Sequence, residues 1–134
     1  MTRYCLQCDD GTVLVHERRD IEIEHRNHRD TVRGVSGWHC PACGEIEFDP
    51  GEAARYNAAL KALAESAATE DAALLRSVRQ RLGLTQKAAE ALTGGGHNAF
   101  SRYERGEARP MPAVVNLFRL LDKHPELLRE LRQG

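Results

Sequence analysis

The chain has 134 residues, with 19 Lys and Arg against 20 Asp and Glu and a formal net charge of −1 at pH 7. That length admits one domain or two small ones of roughly 65 residues each, near the lower limit at which an apolar core suffices without a metal or a dimer interface. No apolar run approaches the roughly 20 residues of a membrane span, and the opening MTRYCLQCDDG lacks the apolar core of a signal peptide, so a cytoplasmic protein with no membrane partner is expected.

From Thr12 to Trp38 the pattern is mostly two-residue alternation rich in β-branched residues, and Ile21 and Ile23 alternate with charged neighbours in DIEIEHR. Two or three antiparallel strands are expected, with a turn at Arg26-Asn27-His28, bends or bulges at Gly34 and Gly37, and a short further strand at Ile46-Glu47-Phe48. Asp49-Pro50-Gly51-Glu52 then opens a helix, with Asp49 as N-cap, Pro50 at N1 and Glu52 completing an Asp form of the capping box. Its apolar stripe is Ala53, Tyr56, Leu60, Leu63 and Ala64. The following SAATE has no strong periodicity and reads as a helix end or a linker.

Beyond it, Leu74, Leu75, Val78 and Leu82 mark a helix ending at Gly83. Thr85 is placed to cap a second, with Ala88, Ala89 and Leu92 inward, before the turn Gly94-Gly95-Gly96. Phe100 and Tyr103 turn a third helix inward, and Gly106 fits a left-handed stop. Pro112 opens a fourth helix with Val115, Phe118 and Leu121 inward; Pro125 opens a fifth with Leu127, Leu128 and Leu131.

Cys5-Leu6-Gln7-Cys8 and Cys40-Pro41-Ala42-Cys43 are two Cys-x-x-Cys pairs. In a reducing compartment four cysteines point to metal ligation or redox chemistry rather than disulfides. Each pair can grip one ion from a knuckle turn, and Gly44 and Gly11 supply backbone freedom close behind. Four soft thiolates suit one structural Zn2+ per chain and leave no open position for catalysis. A redox pair is the rival, but neither motif sits at a strand-to-helix junction. His39, beside Cys40, is an outside candidate ligand; His16, His25 and His28 read as surface.

The charge is uneven. Residues 1–70 hold 8 Lys/Arg against 13 Asp/Glu, a balance of −5, and residues 71–134 hold 11 against 7, a balance of +4. A basic half suits a phosphate partner, whereas an acidic half suits a basic protein. Within the basic half, Asn98 and Arg102 stand four residues apart on the third helix, and their side chains match adenine and guanine edges in the major groove. Ser101 shares that face, and Thr85 and Gln86 open the preceding helix, where a backbone phosphate is held. Lys87, Arg105 and Arg109 add positive charge, and His97 begins the third helix, either capping it or approaching DNA. Glu104 is expected to satisfy local backbone or an Arg. A helix-turn-helix reader of DNA is the expectation.

The fold class expected is α+β. Residues 1–66 form a β-rich, zinc-ribbon-like domain with one helix, 67–72 a linker, and 73–134 an all-α, five-helix helix-turn-helix domain. No nucleophile with an evident base occurs, so no enzyme is expected. A thiol oxidoreductase and a stand-alone regulator with another protein or small-molecule partner are the alternatives.

With both constellations placed, the chain resembles the MqsA family of antitoxins over nearly its whole length, most in LTQK, GGGHNAFSRYERG and LLDKHPELL. The resemblance implies an N-terminal zinc domain that neutralises a small RNase-type toxin. It also implies a C-terminal domain that forms a homodimer and represses its own promoter through palindromic DNA. Cys5, Cys8, Cys40 and Cys43 fall on the family's zinc ligands, and Asn98 and Arg102 on its base-reading positions.

Overall fold

The computed structural model describes residues 1–133 and divides into two compact units, Met1–Ala64 and Glu65–Gly134. In the N-terminal unit β1 (Val15–His25) and β2 (His28–His39) form an antiparallel hairpin, and β3 (Ile46–Phe48) pairs antiparallel with the far end of β2. The hairpin turns at Arg26-Asn27, where Arg26 takes a left-handed φ of 56°. The expected irregularity at Gly34 is a bulge. Arg19 pairs with Val35 but Ile21 with Val32, so Arg33 and Gly34 together oppose Asp20. Asp20 accepts the Gly34 N–H at 2.8 Å, and Arg55 donates to the carbonyls of Arg33 and Gly34 at 2.8 and 3.0 Å. The Gly34 N–H and both carbonyls of the bulge are thereby satisfied.

Gly37 answers to a different constraint. A Cβ there would lie 2.5 Å from the Glu47 carbonyl oxygen, so the absence of a side chain is what lets β3 close on β2. Above this sheet the first turns of α1 (Glu52–Arg81) bring Tyr56, Ala59, Leu60 and Leu63 onto Ile23, Val32, Val35 and Phe48. Ala53, expected in that stripe, is exposed.

Helix α1 begins differently from the capping-box expectation. The Asp49 carboxylate accepts from Ser36 Oγ at 2.5 Å and contacts His16 Nε2 at 2.8 Å, while the Glu52 carboxylate takes the Ser36 N–H at 3.1 Å and Arg55 at 2.7 Å. Both acids tie the helix start to the sheet instead of to each other's backbone. Ser36 holds the Asp49 carboxyl below its ordinary value, aided by His16, and Arg55 does the same for Glu52.

The expected linker at residues 67–72 is helical: α1 runs unbroken for 30 residues. Between Ala64 and Leu75 the chain contains no Gly or Pro and is dominated by Ala, Glu and Leu, so intrinsic propensity continues the helix where amphipathic periodicity fades. The C-terminal unit therefore takes its first helix from the second part of α1. It adds α2 (Gln86–Thr93), α3 (Ala99–Glu104), α4 (Pro112–Lys123), a 3₁₀ turn at Pro125–Leu127 and α5 (Leu128–Gln133). Leu75, Val78, Ala89, Phe100, Tyr103 and Phe118 share one core, with the Phe100 ring 5.0 Å from Phe118 and 5.7 Å from Tyr103. Burying each Phe contributes about 2–3 kcal/mol. Leu131, expected inward, is 39% exposed, because it lies in a short terminal helix with little packed over it.

Gly37→Ala should cost the N-terminal unit about 1–3 kcal/mol, because the added methyl must push β3 away. Denaturant unfolding followed by fluorescence of Trp38, the chain's one tryptophan, checks this; an unchanged midpoint would show that β3 yields freely.

Candidate metal centre and candidate nucleic-acid interface

The two cysteine pairs occupy equivalent knuckles at the base of the hairpin. Cys5 N–H donates to the Thr12 carbonyl and Cys40 N–H to the Glu45 carbonyl, both at 2.8 Å. Asp9 N–H returns to the Cys5 carbonyl at 3.1 Å, and Gly44 N–H to that of Cys40 at 3.2 Å. The residue after each second cysteine has positive φ, 51° at Asp9 and 80° at Gly44. Asp9, rather than the expected Gly11, therefore matches Gly44, and an Asp tolerates that conformation better than most side chains.

The strand register carries these knuckles together. Cys5 Sγ lies 3.6 Å from Cys43 Sγ and Cys8 Sγ 3.8 Å from Cys40 Sγ, and all four sulfurs fall within 4.8 Å of one another. A tetrahedron with metal–sulfur bonds of about 2.3 Å has edges of about 3.8 Å, so the residues fit a four-coordinate ion. Backbone N–H groups point at the sulfurs: Cys8 at Cys5 (3.4 Å), Cys43 at Cys40 (3.5 Å) and Glu45 at Cys43 (3.4 Å). Such donors favour thiolates. The Cys43 N–H, with help from that of Ala42, holds the Cys40 thiol down at about 6. Cys8 moves the other way, raised by its contact with the Cys43 sulfur and by burial. Cys40 ionises readily while Cys8 and Cys43 resist, so a cation at the centre would favour the ionised tetrad. His39 is not part of it: the ring is buried and its Nε2 is engaged by the Val35 carbonyl at 2.9 Å.

In the C-terminal unit Thr85 caps α2, its hydroxyl accepting the Ala88 N–H at 3.0 Å. Gln86 and Lys87 follow in the first turn, half-buried and exposed respectively. The turn to α3 passes through Gly95, where φ is +96° and a Cβ would come within 2.7 Å of the Tyr103 hydroxyl. His97 and Asn98 lie in this turn, not in the helix. Asn98 is the N-cap of α3 in the left-handed conformation (φ 59°, ψ 24°), and its exposed amide makes no capping bond. Its carbonyl still accepts the Arg102 N–H at 3.1 Å. Asn98 and Arg102 are thus brought within one turn, although the left-handed backbone, not helical periodicity, aims the Asn side chain. Arg102 reaches back to the Gly95 carbonyl at 3.5 Å, a weak bond, and Ser101 is half-buried beside it.

Arg105 is exposed and pairs with Glu107 at 3.0 Å. Arg109, expected as a free positive charge, instead meets the buried Asp71 carboxylate at 3.3 Å, with Arg119 on the other oxygen at 3.8 Å. The sequence signal for this was Asp71 itself, a charged residue on the stripe Ala67, Asp71, Leu75, Val78, all of it buried. A second pair was also missed. Arg79 binds Glu104 bidentately at 2.7 and 2.9 Å and donates to the Leu84 carbonyl at 2.9 Å, tying α1, the loop before α2 and the end of α3 together. Glu104, whose expected role was to satisfy an Arg, does so, and it holds the Arg79 guanidinium above its ordinary value.

A β-unit built around a metal-competent cysteine tetrad, followed by a helical unit with two short helices across a glycine turn, defines a two-unit α+β protein. The chain matches the family described as "Antitoxin component of bacterial toxin-antitoxin system, MqsA" over residues 3–132. It is 41% identical over 130 residues to Antitoxin MqsA of Escherichia coli (strain K12), covering 96% of this chain and 98% of that protein. The chain belongs to the MqsA antitoxin family.

Arg79→Met should destabilise the C-terminal unit by about 3–5 kcal/mol, because it leaves the Glu104 carboxylate, 5% exposed, without its charge partner. Thermal unfolding of the full chain followed by circular dichroism reads the loss; a change below about 1 kcal/mol would mean that the pair contributes little.

Proposed function

We propose that this chain is a non-catalytic antitoxin that neutralises a small mRNA-cleaving toxin through its N-terminal unit and represses its own operon through its C-terminal unit, in the cytoplasm. The observation that carries this is the family match itself, which spans both units rather than one of them. No helix among the described residues is long and apolar enough to cross a membrane, in keeping with that setting.

Zinc is the metal that the tetrad suits best. Four thiolates at tetrahedral spacing favour a soft d¹⁰ ion, and a fully occupied coordination shell leaves no position for substrate. Zinc, when bound, supplies a structural cross-link. Cys5, Cys8, Cys40 and Cys43 would hold it, and the N–H groups of Cys8, Cys43 and Glu45 orient the Cys5, Cys40 and Cys43 sulfurs respectively. A unit of this size with so small an apolar core gains the stability it needs from that link.

On the DNA side Asn98 reads adenine and Arg102 guanine, with Ser101 in support; Thr85, Gln86 and Lys87 hold a phosphate at the start of α2. The uncapped Asn98 amide and the weakly held Arg102 guanidinium support this assignment, since neither side chain is spent on the fold. His97 and Arg105, both exposed, contribute near the backbone. Arg109 is reassigned to Asp71. A two-fold homodimer places two such helices about one DNA turn apart on a palindromic promoter.

Arg102→Ala should abolish discrimination for the chain's own promoter over unrelated duplex while leaving the fold intact; fluorescence anisotropy with both duplexes measures it, and retained selectivity would remove Arg102 from the reading face. Arg109→Ala is its contrast, and the salt slope of binding should stay unchanged instead of falling by about one. Cys40→Ser should release zinc and unfold residues 1–64 while promoter binding persists. Loss of DNA binding along with zinc would refute that independence.

A further inference from the structure

Among the described residues, five of the eight exposed large apolar side chains, Met1, Tyr4, Leu6, Val13 and Val15, fall in the first fifteen positions. Three of them form a strip whose origin is the metal centre itself. Cys5 and Leu14 are buried against Cys40, so the residues alternating with them must face the other way. Tyr4 and Val13 pair directly across an antiparallel bridge. The bonds flanking it run from Cys5 N–H to the Thr12 carbonyl and from Leu14 N–H to the Arg3 carbonyl, both 2.8 Å. That pattern marks a non-hydrogen-bonded pair, in which the side chains stand close together. Val15 follows two residues on and opposes His39. Its register sets it on the sheet face of Val35 and Phe48, which α1 covers; the strip lies beyond that cover. Tyr4 is 57% exposed, Val13 45% and Val15 43%.

Neither the tetrad nor the unit's core uses these side chains, and contiguous exposed apolar residues mark interaction surfaces more often than scattered ones do. We propose that the Tyr4–Val13–Val15 strip is the surface on which the toxin docks, and that the toxin meets it with an apolar patch bordered by Lys or Arg. Charge selects this occupant. Residues 1–64 carry 8 Lys/Arg against 11 Asp/Glu, and Asp9, in the turn that joins the strip's two arms, is exposed. An acidic frame repels nucleic acid and steers a basic protein inward. Tyr4, amphipathic and with few rotamers to lose, is the expected anchor. This placement rests on the antitoxin role proposed above.

The test uses full-length, zinc-loaded chain and the small protein encoded beside it, with binding measured by titration calorimetry. Tyr4→Ser should weaken the complex by about 30-fold or more, and Val13→Thr, which keeps the strand, by a smaller factor. Zinc content, the Trp38 unfolding midpoint and promoter binding should match the unsubstituted chain. If the unsubstituted chain does not bind that protein, the antitoxin role itself falls. If it binds and both variants bind as tightly, the strip is not the docking surface. A lower oligomeric mass of the toxin-free chain on Tyr4→Ser would assign the strip to self-association and overturn the proposal.

Discussion

Four sulfurs within 4.8 Å of one another set the terms for everything in the N-terminal unit. The hairpin strands between the knuckles are long and their apolar contribution is slight: Ile21, Ile23, Val32 and Val35 against about two turns of helix. A core of that size leaves little surplus over chain entropy, so an ion held by the tetrad would add the stability that a single closed structure needs. The tetrad also dictates orientation. Once Cys5 and Leu14 turn inward, strand alternation sets Tyr4, Val13 and Val15 on the opposite face, beyond the cover of α1, so the metal site fixes which way the apolar strip faces.

In the C-terminal unit an ion pair plays the comparable part. Arg79 and Glu104 are nearly excluded from solvent and satisfy each other with two bonds, while the third guanidinium donor reaches the Leu84 carbonyl. Helix α3 has only six residues, too short to hold itself in place. Its position depends on Phe100 and Tyr103 in the core and on Glu104 at its end. Asp71 with Arg109 and Arg119 anchors the loop that leaves α3 in the same way. Charges that look available for phosphate in the sequence are thereby divided, some kept for the fold and some left to solvent.

The elements legible in the sequence were those whose signal is local. Strand alternation, the glycine at a bulge, the Thr85 cap and the Phe100/Tyr103 inward pair each express a short-range rule, and each appears where that rule puts it. Long-range competition is what escaped. Asp49 and Glu52 have the spacing of a capping box, but Ser36, His16 and Arg55 offer them stronger partners across the sheet. The segment SAATE has no face to bury in an obvious direction, yet nothing in it breaks a helix, and α1 passes through.

By itself the sequence located the two candidate sites, because cysteine spacing and an Asn and Arg one turn apart are properties of residue type and separation. It also determined which half is acidic and which basic. Only the tertiary structure decided which charges remain free, that Arg109 belongs to Asp71, that Asn98 presents its amide from a left-handed cap, and that three apolar residues beside the tetrad face solvent. Those outcomes depend on which groups the register and the packing bring within hydrogen-bonding distance, and groups tens of residues apart carry no mark of that in their order along the chain.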